Sequence, residues 1–207
     1  MYQHSLRQFA QPITIIHPGE YLASAEDIII CTVLGSCIAV ALRDETAGVG
    51  GLNHFMLSGS FRATPDGIYR EGDSPPLYAR QDAKYGMYAM ELLINDLLKL
   101  GARKERLRAK VFGGASVMGI GNEAGCRVCR DNQSFALSYL DTEGIPILAQ
   151  DLGGDSARKV LFFVKDGKVL LKKIKGTYQK IVSREEQEYR ERIAAKTLEG
   201  GNITLFK

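Results

Sequence analysis

Short apolar runs separated by polar or glycine-containing stretches recur in the first third of the chain, as expected for buried strands. A buried strand is predicted over residues 27–33, and residues 38–42 then alternate apolar with small side chains. A polar turn at 44–47 separates this run from a second apolar run at 49–57. The pattern predicts a strand followed by a β-hairpin.

Helical spacing first appears over residues 81–100. Apolar side chains recur there every three or four positions, and Gly101 ends the pattern. Residues 58–80, which precede this helix, are rich in glycine, serine, proline and charge. A loop of that length is either functional or an ordinary excursion, so a lid over a substrate and a plain flexible loop both stay open.

In the second half of the chain, a predicted strand is again followed by a predicted helix. A strand at 108–112 runs into a glycine-rich turn at 113–116. That turn matches neither phosphate-binding glycine pattern, so we expect close packing there and no nucleotide site. Asn132 is predicted to cap a helix that ends at Gly144.

Three further elements complete the pattern. A strand is predicted over 145–150, a hairpin over 160–173 around Asp166-Gly167, and a charged surface helix over 183–198. The chain is therefore predicted to be α/β, with mixed and largely antiparallel β-sheets flanked by helices.

Composition narrows the class of protein without identifying a function. With 207 residues, 45% hydrophobic and 25% charged, the chain is predicted to form a single domain over 1–207. A net charge of +3 is too small to indicate nucleic-acid binding. Its apolar runs are too short to span a bilayer and the N-terminus does not resemble a leader peptide, so we expect a cytoplasmic protein without direct membrane insertion.

Four cysteines offer several kinds of chemistry. Cys126 and Cys129 form a C-x-x-C pair, which is compatible with half a zinc site or a redox pair. Structural disulfides are uncommon in a reducing cytosol, and the spacing of Cys31 and Cys37 is unfavourable for completing a zinc site. The sequence favours two incidental cysteines in a loop, and no metal.

Cys37 and His54 lie on the two arms of the predicted hairpin. If the turn is centred between Glu45 and Thr46, these two residues face each other, with Cβ atoms about 4.5–5.5 Å apart. A thiol beside an imidazole is the minimal unit of cysteine nucleophilic catalysis. A buried cysteine that only packs is the simpler alternative, although the glycines before both residues indicate close backbone approach or a substrate groove.

Five segments occur along the chain in a characteristic order and spacing. They are Leu34-Gly35-Ser36-Cys37, Gly50-Gly51-Leu52-Asn53-His54, Tyr85-Gly86 with Ala89-Met90-Glu91-Leu92-Leu93, Lys110-Val111-Phe112-Gly113-Gly114-Ala115, and Asp151-Leu152-Gly153-Gly154 with Arg158-Lys159. Together these segments resemble the CheD family of chemoreceptor glutamine deamidases. The resemblance covers a core of about 18–175 and leaves 180–207 as a charged C-terminal tail.

The resemblance implies a Cys-His-Thr catalytic set that needs no cofactor. Carried over by position, Cys37 matches the nucleophile and His54 the base. The third position falls on Cys31 or on Thr32, and Thr32 is favoured because a hydroxyl holds a ring nitrogen better than a thiol. In a later family motif only Asn132 clearly matches.

The resemblance also implies a substrate and partners. The substrate would be glutamine side chains on the cytoplasmic helices of methyl-accepting chemoreceptors, converted to glutamate in chemotactic adaptation. A CheC-type phosphatase is a further implied partner. Two other functions stay open: a different cysteine hydrolase, and a non-enzymatic adaptor in which Cys37 and His54 only pack.

Overall fold

The computed structural model describes residues 9–57, 84–117 and 126–198. The α-helices of these ranges are α1 (Lys84–Lys99), α2 (Arg127–Thr142) and α3 (Thr177–Leu198), with a short 3-10 turn at Lys104–Arg106. The strands are β1 (Ile13–Ile15), β2 (Tyr21–Ser24), β3 (Ile29–Leu34), β4 (Ile38–Asp44), β5 (Val49–Asn53), β6 (Arg108–Gly113), β7 (Ile147–Leu152), β8 (Ala157–Phe163) and β9 (Val169–Ile174).

Two sheets share these strands. The first has the order β1-β3-β8-β9 and the second β2-β5-β4-β6-β7. Only β1–β3 and β6–β7 pair in parallel among the described strands; the other pairings are antiparallel. The predicted fold class, with largely antiparallel mixed sheets flanked by helices, is confirmed.

Strand alternation divides the core into layers. Along β4, Ile38, Val40 and Leu42 face α1 and α2, whereas Ala39 and Ala41 face the first sheet. Along β3, Ile30 and Leu34 point into the space between the sheets. The fold therefore has three layers. Helices α1 and α2 cover one face of the second sheet, and the first sheet packs on its other face, with Cys37 buried between the two sheets.

The β4–β5 hairpin forms as predicted, but its register differs by two residues. Ile38 bridges Phe55, where a turn centred between Glu45 and Thr46 requires Asn53. The reason is that Asp44 pairs with Val49, so the loop at 45–48 is centred one residue later, between Thr46 and Ala47. Directly opposed placement of Cys37 and His54 is therefore wrong. A shift of two preserves the face on which each side chain lies, so the two residues still share a face.

Two of the glycines near the Cys37 and His54 segments lie where neighbouring atoms leave no room for a side chain. A Cβ on Gly51 would lie 2.5 Å from the Leu22 carbonyl oxygen and 2.6 Å from Leu93, so β2 and α1 both need this glycine. Gly113 has φ +117°, and a Cβ there would lie 2.0 Å from the Cys37 carbonyl oxygen. Close packing at the glycine-rich turn is thus confirmed.

Helix boundaries follow the sequence pattern with one correction. The predicted helix over 81–100 is confirmed as α1, and residues 81–83 and the loop at 58–80 lie outside the described residues. The predicted N-cap at Asn132 is wrong, because α2 begins at Arg127 and Asn132 lies buried within it. Its side chain bonds to other segments, as described below, and leaves the start of the helix to residues near Cys126.

The C-terminal helix is longer and less exposed than its charge suggests. α3 begins at Thr177, and its inner face buries Val182, Glu186 and Ile193 to 3%, 4% and 5% exposure. The expectation of a surface helix holds only for its outer face, where Arg184 and Glu188 form an ion pair. In the described part of the chain, none of the helices combines the length and apolarity needed to cross a membrane.

Candidate active site

The loop between β3 and β4 carries Cys37 and is held by its carbonyl groups. Each of its three carbonyl oxygens accepts a hydrogen bond from a neighbouring segment. The pairs are Gly35 O with Ala115 N at 2.6 Å, Ser36 O with Asn132 Nδ2 at 2.8 Å, and Cys37 O with Gly114 N at 2.8 Å. The backbone conformation of this loop is thereby fixed by groups on the β6–α2 side of the fold.

The N–H groups of the same loop converge on one carboxylate, that of Glu186 from α3. Glu186 Oε1 accepts from Gly35 N at 2.8 Å and Cys37 N at 3.1 Å, and Oε2 accepts from Ser36 N and Ser36 Oγ, both at 2.7 Å. Successive amides aimed at one point form an anion-binding nest. The loop is therefore a preformed site for a carboxylate or an oxyanion.

Cys37 and His54 meet at this nest. The Cys37 sulfur, a His54 ring nitrogen and a Glu186 carboxylate oxygen all lie within 4.8 Å of one another. Both side chains are shielded from solvent, at 0% exposure for Cys37 and 1% for His54. The structure thus brings together the two residues that the hairpin pattern selects, at a separation looser than a hydrogen bond.

Thr32 fixes the orientation of the imidazole. Its hydroxyl donates to the Ile16 carbonyl oxygen at 2.8 Å and lies 2.7 Å from His54 Nδ1. A hydroxyl has one hydrogen to donate, and here it donates that hydrogen to the Ile16 carbonyl oxygen, so it accepts a hydrogen bond from Nδ1–H. This assigns the hydrogen to Nδ1 and leaves Nε2 with a free lone pair. Nε2 is buried and has no hydrogen-bond partner among the described residues.

Cys31 lies on the opposite face of β3. It packs with Ile29, Leu161 and Phe163 on the outer side of the first sheet. Thr32 shares the inner face, so of the two candidates for the third position, the structure places Thr32 against His54.

Burial sets the charge state of the pair. It lowers the pKa of His54 from its ordinary value to about 3, with a further contribution from His17. Burial also raises the pKa of the Cys37 thiol well above its ordinary value, and the negative charge of Glu186 and its hydrogen bond add to this shift. With α3 in place, the pair is a neutral thiol and a neutral imidazole at pH 7.

Asn132 joins the two halves of the site. Its Oδ1 accepts from Leu57 N at 2.9 Å, while its Nδ2 donates to Ser36 O at 2.8 Å. One amide side chain therefore ties the loop before Cys37 to the segment that follows His54. Asn132, the one residue that clearly matches the later family motif, thus bonds to groups within the protein.

Glu186 is the site residue that the sequence reasoning missed. A signal was present, because Val182, Glu186, Tyr189 and Ile193 recur at helical spacing and form one stripe of α3. A lone acidic residue within an otherwise apolar stripe indicates a buried carboxylate with dedicated partners. The overall charge of the segment hid this stripe.

Cys126 and Cys129 are joined by a disulfide at the start of α2, with Cα atoms 5.4 Å apart. The expectation of two incidental cysteines is therefore wrong. Cys126 is the N-cap residue of α2 and Cys129 lies in its first turn, close enough to bond, which a loop assignment could not show.

Three side chains of the site have the residue types and spacing of metal ligands, namely Cys37, His54 and Glu186. The hydrogen bonds to Glu186 disfavour a bound metal ion, because its two carboxylate oxygens already accept hydrogen bonds from four donors. A carboxylate that ligated a metal would turn a lone pair away from the nest.

We therefore expect the purified protein to carry no stoichiometric zinc. Elemental analysis after purification without added metal checks this, with the Cys37→Ala variant as the matched control. One zinc per chain that disappears in that variant would contradict the expectation and make the three side chains a metal centre.

A cleft of about 150 Å³ reaches the site from the side of β1 and β3. His54 and Thr32 are among its lining residues, and α3 contributes Val182, Glu185 and Glu186. The cleft thus lies beside the imidazole and is bordered by α3.

A cysteine, an oriented imidazole and an anion-binding nest on an α/β scaffold are the groups that thiol-dependent acyl-transfer enzymes use. A family model described as CheD chemotactic sensory transduction matches residues 73–173. A Bordetella petrii protein named probable chemoreceptor glutamine deamidase CheD is 46% identical over 190 residues, 91% of this chain and 78% of that protein. A Janthinobacterium protein of the same name is 42% identical over 97% of this chain and 92% of its own length. This chain belongs to the CheD family.

Among solved structures, a Neisseria meningitidis protein of the DUF152 family is similar with a TM-score of 0.42, at 11% identity over 74% of this chain and 68% of that chain. Similarity at that level carries no argument about the site.

Proposed function

We propose that this protein is a chemoreceptor glutamine deamidase. It would hydrolyse the side-chain amide of selected glutamines on the cytoplasmic helices of methyl-accepting chemoreceptors, and so act in chemotactic adaptation. The names of its relatives support the substrate class. A cytoplasmic location and a single domain over 1–207 belong to the same proposal, and a CheC-type phosphatase stays an expectation of the resemblance.

One observation carries the chemistry: the Thr32 hydroxyl donates its hydrogen bond to the Ile16 carbonyl oxygen and therefore accepts a hydrogen bond from His54 Nδ1–H. The free lone pair on Nε2 is then the atom that can remove the Cys37 proton. In the proposal Cys37 is the nucleophile, His54 the general base and Thr32 the residue that orients the base.

The first half of the proposed reaction forms a thioester. His54 takes the thiol proton, and the thiolate attacks the carboxamide carbon of the substrate glutamine. The developing oxyanion would lie in the nest of Gly35, Ser36 and Cys37 amides, whose geometry is fixed before substrate arrives. His54 then gives its proton to the leaving nitrogen, and ammonia departs.

The second half returns the enzyme to its starting state. Water enters, His54 removes one of its protons, and the hydroxide attacks the thioester carbon. The same amides stabilise the second oxyanion, and the Cys37 sulfur leaves and regains a proton from His54. The product is a glutamate on the receptor, one negative charge richer than the glutamine.

Incubation with a purified cytoplasmic chemoreceptor fragment tests the proposal. Intact mass should show the replacement of NH2 by OH at specific glutamines, with an equal amount of ammonia released. Free glutamine serves as the comparison substrate. Hydrolysis of free glutamine but not of the receptor would indicate a different cysteine hydrolase, and binding without ammonia release would indicate an adaptor.

We expect Thr32→Val to lower the deamidation rate by about 10- to 100-fold. Valine keeps the shape of the side chain but removes the acceptor of Nδ1–H, so the imidazole samples the wrong tautomer and orientation. Steady-state kinetics measures the effect. Thr32→Ser should restore most of the rate, because it returns the hydroxyl.

Cys31→Ser is the matched control for Thr32→Val, since it alters the neighbouring residue on the outer face of the same strand. It should leave the rate nearly unchanged. The reverse ranking, with the Cys31 variant slow and the Thr32 variant normal, would show that the geometry in the structure is not the one used in catalysis.

A further inference from the structure

The inner face of α3 presents a carboxylate where an apolar side chain would be expected. Val182 and Ile193 are buried on this face, and Tyr189 packs against the core between the sheets. Glu186 lies between them at 4% exposure. A buried carboxylate is costly unless its oxygens are fully hydrogen-bonded, so the groups that surround it are specific to it.

Those groups are donors without positive charge. Three backbone N–H groups and the Ser36 hydroxyl satisfy both oxygens. A site of this kind binds a carboxylate, and equally the oxygen of a carboxamide or a tetrahedral oxyanion. It is the same nest that the proposed reaction uses.

The fit around Glu186 is close. A Cβ on Gly35 would lie 2.7 Å from Glu186 Oε2, so the absence of a side chain at Gly35 makes room for the one that enters. Farther along the helix, a Cβ on Gly19 would lie 2.6 Å from the Tyr189 hydroxyl. Two glycines on different segments thus shape a groove for a helix that carries a long side chain into the nest.

Glutamate is also the product of the proposed reaction. A deamidated receptor residue would be a glutamate on an α-helix, and Glu186 is a glutamate on an α-helix with its carboxylate beside the Cys37 sulfur. We propose, building on the deamidase function, that α3 is an internal product mimic: it seats Glu186 in the substrate site, and a helix presenting a glutamine must displace α3 from the same groove.

The connection to β9 allows such displacement. Gly176 joins the strand to α3 with φ +70°, and nothing lies within 4 Å of the position of a Cβ there. On the outer face, side-chain pairs four residues apart, Arg184 with Glu188 and Gln187 with Glu191, favour a helix even when it is undocked. In the proposal, α3 leaves the groove as a unit with this glycine as the point of rotation.

The first test measures access to Cys37 in the full-length protein. We expect Glu186→Ala to increase the rate of Cys37 alkylation by iodoacetamide about tenfold or more. The variant opens the nest to water, which reduces the burial that raises the pKa of the thiol, and it also removes the negative charge that adds to this shift. Peptide mass spectrometry assigns the label to Cys37. Glu188→Ala, which makes the same change on the outer face of α3, should match the wild type.

The second test asks whether the side chain at 186 lies where a substrate lies. In Glu186→Gln, the Cys37 thiolate should attack the introduced amide carbon, ammonia should leave with a proton from His54, and water should hydrolyse the thioester. The position then returns to glutamate. Gln187, the next residue, is the internal control and should keep its amide. Combining Glu186→Gln with Cys37→Ala should prevent the conversion.

The outcomes separate this inference from the proposed function. Conversion that requires Cys37, together with faster alkylation of Glu186→Ala, supports it. An amide at 186 that stays intact in a protein that deamidates receptor, or alkylation equal in Glu186→Ala and Glu188→Ala, overturns it while the deamidase function stands. If the wild type releases no ammonia from receptor but the alkylation rates still differ, the deamidase function fails. The product-mimic inference fails with it, and α3 then only shields Cys37 from solvent.

Discussion

Replacing Cys37 with alanine is expected to abolish deamidation of a chemoreceptor fragment, and replacing His54 with alanine is expected to do the same. Loss of a nucleophile or of its base in such a unit typically lowers kcat by about 10⁴-fold or more. Both side chains lie at the amide nest, within 4.8 Å of each other and of the carboxylate that occupies it. The measurement is mass spectrometry of the receptor fragment together with ammonia release.

Cys31→Ala is the matched control for the Cys37 variant. Cys31 is also a buried free cysteine, on β3 just before the Cys37 loop, but it faces the outer side of the first sheet. It should retain activity. Circular dichroism and urea unfolding establish that the inactive variants are folded. Normal turnover by a folded Cys37→Ala or His54→Ala protein would exclude the proposed roles.

Gly113→Ala is expected to destabilise the fold by more than about 3 kcal/mol and to remove activity in whatever protein remains folded. The residue has φ +117°, which costs an L-residue about 1–2 kcal/mol. The added methyl group would also lie 2.0 Å from the Cys37 carbonyl oxygen, so β4 and β6 must move apart. That movement would shift the loop that holds the amide nest.

Gly101→Ala separates the cost of the positive φ from the cost of the steric clash. Gly101 has a similar φ of +98°, but nothing lies within 4 Å of its Cβ position. It should lose only the backbone contribution of about 1–2 kcal/mol and keep full activity. Urea midpoints and deamidation rates of the two variants are the comparison. Equal destabilisation would contradict a steric role for Gly113 beside Cys37.

Much of the scaffold was predictable because its signals are local. The β4–β5 hairpin, α1 and the β8–β9 hairpin each bury one face, and their apolar periodicity shows that face directly. β1 and β2 were not identified. They span only Ile13–Ile15 and Tyr21–Ser24 and pair with strands distant in sequence, so no local alternation marks them.

The two errors have different physical causes. The hairpin register was wrong by two residues because the loop is centred between Thr46 and Ala47, one residue later than its polar residues indicate, and turn residues alone do not fix the centre of a loop. Asn132 was assigned to a cap because asparagine is common there, whereas its amide joins Leu57 and Ser36 across the fold. At Asn132 a long-range contact outweighed a local preference.

By itself, the sequence determined the fold class, the family and the pair Cys37 and His54, because periodicity, motif order and reactive residue types are written along the chain. Only the tertiary structure decided that Thr32 rather than Cys31 contacts the imidazole, that the amides of the Cys37 loop converge, and that Glu186 fills the nest they form. Glu186 is 149 residues from Cys37 in sequence, and local patterning carries no information about which distant group a buried nest will bind.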